Sequence, residues 1–244
     1  MTDREPLPAQ WVDVPAPGLG VMPAAVVQPP GAGPSPVVLL LHGTHGFAQQ
    51  YVQLAQDLAR GGLLAVAAGW FSGGSGAGSR FVTPIACPDA PPMPEVWSPE
   101  AMQIVETLIA AARALPGARP DRVALFGQSR GARASLHYIL GGGDVRAAIL
   151  NSGGYPSEVV DRVTQIKTPI LLLHGTADSP ADGGSEFTDV RRARAFESAA
   201  RGAGRPVEAV YYEGGGHNGL FASPAQYEDE LRRMADFLRC HLLA

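Results

Sequence analysis

Short apolar runs alternate with helix-patterned stretches along most of this chain, and that alternation restricts its fold more than any other feature. The runs Val37–Leu41 (VVLLL), Leu63–Ala68 (LLAVAA), Arg122–Phe126 (RVALF), VRAAIL at 145–150, TPILLLHG at 168–175 and PVEAVYYE at 206–213 read as buried strands. Helices are predicted near 47–60, over Pro99–Leu115, over ARASLHYIL at 132–140, over Val190–Arg201 and over Pro224–His241. Strand and helix in strict succession build βαβ units, hence an α/β fold with a mostly parallel central sheet flanked by helices. Gln10–Val14 and Val21–Val27, joined by PAPGLG, read as an opening antiparallel pair. A length of 244 residues suits one large core, so a single domain over 1–244 is expected.

Composition removes several function classes. A net charge of −4 gives no reason to expect nucleic acid or an anionic membrane as partner. The start MTDREPLPAQ lacks an apolar signal core, and no later run approaches the ~20 residues of a membrane span, which makes a cytoplasmic location the expectation. Cys87 and Cys240 form no CxxC pair and stand near no histidine at metal spacing, so they read as two unpaired thiols, although spacing leaves a bridge open. SGGSGAGS at 72–79 lacks the GK[ST] ending of a phosphate loop and reads as a flexible loop.

The stretch FGQSRGA, Phe126–Ala132, carries the chemistry. A buried strand ends and a helix begins around Ser129, with Gly127 and Gly131 on either side in the pattern GxSxG, the small residues a sharp strained turn needs. A serine hydroxyl attacks nothing unaided; it needs a base and a group to orient that base. Two later strand ends offer them. LLLHGTADSPAD places Asp178 five residues past its apolar run, and YYEGGGHNGLF places His217 in a glycine-rich loop. Asp182 and Asp189 are alternative acids from the same stretch. Loops at the carboxyl ends of strands are where open α/β sheets hold their ligands.

The order Ser, Asp, His on such a framework resembles the α/β-hydrolases from Val37 to the C-terminus, and in size and layout the dienelactone hydrolase and related carboxylesterase branch. The resemblance implies Ser129 as nucleophile, His217 as general base and then acid, and Asp178 as the residue that holds the imidazole. It also implies, from HG in LLLHGTHGF, that the backbone N–H groups of Thr44 and Arg130 form the oxyanion hole. Two departures stand out: dienelactone hydrolase has a cysteine nucleophile and a glutamate after the strand-end histidine, where this chain has Ser129 and Gly43. Dienelactone is therefore a doubtful substrate, and an ester, thioester or amide carbonyl is the expected target, without cofactor or metal.

Only NSGGYPSEVVDRVTQIK separates two of the strands where family members insert a cap, so an open site with no large cap domain is expected, covered at most by the segments Phe81–Trp97 and SPADGGSEFTD. His45, Trp70, Phe71, Tyr155 and Phe221 are the candidates for lining the substrate pocket. His42 reads as a packed histidine holding the oxyanion loop, and His137 and His241 as structural. Arg130 and Arg133 read as surface charges, with a substrate carboxylate on Arg130 as an alternative. The expected function is ester hydrolysis on a small molecule; a peptidase or amidase of the same fold, and a silent ligand-binding relative, are the other readings.

Overall fold

In the computed structural model, which describes residues 5–74, 79–182 and 184–243, eight strands form one sheet in the order β1-β2-β4-β3-β5-β6-β7-β8. The strands are β1 (Ala9–Ala16), β2 (Gly20–Val27), β3 (Ser35–Leu41), β4 (Leu64–Ala68), β5 (Ala118–Gln128), β6 (Ala147–Asn151), β7 (Ile170–Gly175) and β8 (Val207–Tyr212). The opening pair β1 and β2 is antiparallel, β2 runs antiparallel to β4, and every remaining pairing is parallel. This is the α/β-hydrolase fold. Ser75–Gly78, within the glycine-rich loop noted above, and the side chain of Asp182 lie outside the described residues.

The continuous apolar runs sort by parity, as a strand's two-residue period requires. Val37, Leu39 and Leu41 face one layer with Leu125, Leu150 and Leu172, covered by helices α2 (Pro99–Arg113), α3 (Arg130–Leu140) and α5 (Val190–Gly202). Val38 and Leu40 face the other with Phe126, Ile149 and Leu173, covered by α1 (Gln49–Arg60) and α7 (Pro224–Leu242). Two short helices, α4 (Ser157–Val160) and α6 (Gly219–Ala222), sit in the connections after β6 and β8. Helices α2 and α7 start where their sequences announce it. Ser98 caps α2 by accepting from Ala101 N–H at 3.2 Å, with Pro99 in the first turn. Ser223 caps α7 in the same way, accepting from Gln226 N–H at 3.3 Å.

Several boundaries differ from expectation by one or two residues, and one by four. Strand β5 begins at Ala118, four residues early, because Ala118 pairs with Ser35 across a register shift. Helix α1 begins at Gln49 rather than Phe47, since the extended Ala48 bridges Pro84. Both cysteines are free, Cys87 buried and Cys240 exposed. Among the described residues no helix is long and apolar enough to cross a membrane.

Candidate active site

The four parallel strands β3, β5, β6 and β7 end side by side, with Leu41 beside Gly127, Gln128 beside Asn151 and Asn151 beside Leu173, so their following loops share one sheet edge. Ser129 stands directly between β5 and α3 with φ +53° and ψ −109°, a region L-residues seldom adopt. The strain thus falls on the serine itself, not on the flanking glycines as the GxSxG pattern suggested. The glycines are there for space: a Cβ on Gly127 would lie 2.3 Å from Gly131 carbonyl atoms, and one on Gly131 would lie 2.1 Å from the Leu41 oxygen. Ser129 N–H is held by the Asn151 carbonyl at 2.8 Å.

His217 Nε2 lies 2.9 Å from Ser129 Oγ, and His217 Nδ1 lies 2.7 Å from Asp178 Oδ2. Residues separated by 88 and 39 positions are brought into one hydrogen-bonded line. The imidazole keeps 24 % of its surface exposed while the Asp178 side chain is fully buried, so the acid is dry and the base can be reached. Burial alone would raise the Asp178 carboxyl, but the hydrogen bonds from His174 and His217 outweigh it and hold it below its usual value. Asp178 Oδ1 accepts from Thr188 Oγ1 at 3.0 Å, and Oδ2 also lies 3.2 Å from His174 Nε2. Of the alternative acids, Asp189 is taken: it caps α5, accepting from Arg191 N–H at 2.8 Å, and its guanidinium partner Arg191 lowers it to about 2.

The loop after β3 is built around Gly43. Its N–H donates to Tyr51 Oη at 3.0 Å, its oxygen accepts from Gly46 N–H at 3.1 Å, and it lies 2.9 Å from His42 Nδ1. Trp70 Nε1 donates to the His42 oxygen at 2.9 Å. His42 is fully buried and burial lowers it to about 3, so it packs as a neutral ring against Phe71 at 4.4 Å between centroids. Among the described residues, Thr44 N–H and Arg130 N–H make no backbone hydrogen bond outside the helices and strands. A side chain at 43 would meet Gln128 Oε1 at 2.1 Å; the glutamine before the nucleophile occupies the space a glutamate at 43 would need.

The pocket candidates divide. Trp70 and Phe71 have no exposed surface and Tyr155 has 2 %, so these three pack in the core rather than lining an open pocket as expected. The aromatic strand-end pattern that singled them out is the same for a packed ring and a lining one. His45 is held by Tyr51 Oη at 2.8 Å and lowered by burial to about 4, and half-buried Phe221 meets the Tyr51 ring edge-on at 5.1 Å. Arg130 Nη1 donates to the Pro94 oxygen at 2.5 Å. Arg133 lies between the exposed rings of Trp97 and Phe187, 5.6 Å from each centroid. Only short elements link β6 to β7 among the described residues.

Sequence reading missed His174, Thr188, Tyr51, Gln128, Asn151 and Glu230, all buried polar groups around the site. The signal available was a polar residue inside or at the end of an apolar run, as in LLLHG and AAILN, which a buried strand does not tolerate without a partner.

The profile of the Dienelactone hydrolase family matches residues 22–241. A Methylorubrum extorquens protein, itself only provisionally named a carboxymethylenebutenolidase, is 25 % identical over 98 % of this chain and 83 % of its own. Human alpha/beta hydrolase domain-containing protein 17B is 27 % identical over 57 % of this chain and 49 % of its own, so the chain spans about half the length of that relative. Among solved structures, the Pyrococcus furiosus esterase Pf2001 superposes with a TM-score of 0.75 at 13 % identity, covering 97 % of this chain and 93 % of that one. The dienelactone hydrolase-like promiscuous phosphotriesterase P91 from metagenomic libraries gives 0.74 at 17 % identity, covering 97 % and 99 %. With a family profile spanning nearly the whole sheet and both strand-end loops that carry Asp178 and His217, the chain belongs to the dienelactone hydrolase family.

Proposed function

We propose that this hydrolase-family protein cleaves carboxylic esters of small molecules through an acyl-enzyme on Ser129, with all its residues forming one domain. The observation that carries the reading is the unbroken line from Ser129 Oγ to His217 Nε2 at 2.9 Å and from His217 Nδ1 to buried Asp178 at 2.7 Å. His217 Nε2 takes the hydroxyl proton as Oγ attacks the ester carbon; the developing oxyanion accepts from Thr44 N–H and Arg130 N–H; His217 then passes its proton to the leaving alkoxide. Water repeats the cycle on the acyl-enzyme, returning serine and releasing the acid. Asp178 stays ionised, fixes the Nδ1–H tautomer and stabilises the imidazolium. Apart from the ester and one water, every group in this sequence of steps is supplied by the chain itself.

Incubation with a fluorophosphonate followed by peptide mapping tests the nucleophile, and label on Ser129 is the expected result. Folded protein that takes no label there overturns the reading. Turnover of p-nitrophenyl esters beside the matching anilides then separates esterase from amidase, with the esters expected to be cleaved far faster.

A further inference from the structure

Beneath the sheet edge, on the face covered by α7, lies a buried carboxylate that the proposed chemistry does not use. Glu230 has no exposed surface. Its Oε2 accepts from Asn151 Nδ2 and its Oε1 accepts from Gln226 Nε2 at 2.7 Å. Each partner reaches a different part of the site. Asn151 ends β6, and its carbonyl holds Ser129 N–H at 2.8 Å. Gln226 lies against the His217 loop so closely that a Cβ on Gly219 would meet its amide nitrogen at 2.5 Å and one on Gly215 its amide oxygen at 2.8 Å. The far side of that loop is pinned by Ala177 N–H donating to the Gly215 oxygen at 2.9 Å.

We propose that Glu230 is a positioning residue that ties the Ser129 turn, through Asn151, to the His217 loop, through Gln226, and so sets the distance between nucleophile and base. A carboxylate buried this completely is costly unless its lone pairs are met, and both oxygens are met by amides belonging to the two segments whose spacing matters. Burial pushes the carboxyl up to about 7, with neighbouring Asp229 adding to the rise and the two amides opposing it. Arg233 pairs with Asp229, and Tyr212 on β8 is the other titratable group whose charge is coupled to Glu230. Asn151 Oδ1 is buried without a partner, so a rotated Asn151 amide can accept a hydrogen bond donated by a neutral group at 230. The tie therefore holds with either protonation state.

The reading of kcat rests on the proposed esterase activity; the reading of loop protection does not. Glu230→Leu is expected to lower kcat about tenfold with KM within about twofold, because spacing and not substrate contact is lost. Hydrogen exchange should quicken in 127–131 and 213–219. Glu230→Gln should restore kcat to within about threefold of wild type, its new N–H going to Asn151 Oδ1. Should the leucine variant not fold, the separate arms decide: Gln226→Leu should quicken exchange in 213–219 alone, and Asn151→Ala in 127–131 alone. Wild-type exchange in both segments of the folded variants, or Glu230→Gln as damaging as Glu230→Leu, overturns the proposal. If no ester is turned over by the wild type while the exchange pattern appears as described, the esterase reading fails and the tie stands.

Discussion

His174 Nε2 lies 3.2 Å from Asp178 Oδ2, the same oxygen that holds His217 Nδ1 at 2.7 Å, and 2.7 Å from the Thr188 carbonyl. One ring nitrogen on β7 thus serves the acid and the segment that closes over it, while Thr188 Oγ1 serves the other carboxylate oxygen. Replacing His174 by leucine removes one of three donors from a buried carboxylate and orphans the Thr188 carbonyl. A hydrogen bond to a charged group is worth roughly 1.5–3 kcal/mol, so kcat/KM should fall by about tenfold or more. Thr188→Val should do less, since Oδ2 keeps both its donors. Steady-state kinetics on both variants, with circular dichroism to verify folding, checks the order.

Ser129, His217 and Asp178 should behave as one unit. Ser129→Ala and His217→Ala should each abolish most of kcat, with the double variant little worse than either, because a single proton transfer needs both. Asp178→Asn should cost about 10⁴-fold through the wrong tautomer. Measuring kcat/KM for Asp178→Asn beside Asp182→Asn assigns the acid; a collapse at 182 with near wild-type rates at 178 would overturn it.

The strained backbone at Ser129 makes a separate claim about stability. At φ +53° and ψ −109° glycine is relaxed where alanine is not. Ser129→Gly should therefore unfold at higher denaturant than Ser129→Ala, by about 1–2 kcal/mol. Both should be inactive, and equal stabilities would show that the turn holds no strain.

The flanking glycines carry the opposite expectation. A methyl at 131 would stand 2.1 Å from the Leu41 oxygen, a backbone atom of β3 that cannot step aside. Gly131→Ala should destabilise by on the order of 3 kcal/mol or leave the protein insoluble. Soluble expression and a thermal melt read the result.

Stability should fall on mild acidification. Burial lowers His42 to about 3, His45 to about 4 and His137 to about 4, so between roughly pH 6.5 and 5 these rings take up protons in the unfolded chain and not in the folded one. Glu230, raised by burial to about 7, works the other way, holding a proton in the folded state that the unfolded chain releases above about pH 4.5. Three uptakes against one leave up to about two protons in favour of the unfolded state near pH 5, and partial exposure of His137 trims that figure. Urea titrations at closely spaced pH values should show unfolding free energy dropping from pH 6.5 to 5, and His45→Gln should flatten the slope. A flat profile in wild type would contradict the buried neutral rings.

What the sequence by itself determined is whatever is written locally. The strands from VVLLL to PVEAVYYE, the helix starts at Pro99 and Pro224, and the strand-turn-helix at FGQSRGA all follow from periodicity, capping and space at glycine, which involve neighbours in the chain. The candidacy of Ser129, Asp178 and His217 was legible because each falls just past a strand end. Only the tertiary structure decided that Asp178 reaches His217 while Asp189 is spent on a helix cap, since the partners are set by sheet order and loop path. It also decided that Trp70, Phe71 and Tyr155 are core, because an aromatic ring after a strand has the same local pattern whether it faces a cleft or the interior. The pairs Asn151 with Glu230 and Ser129 with His217, 79 and 88 residues apart, leave no periodic trace; they exist because the sheet sets strand ends edge to edge and α7 packs beneath them.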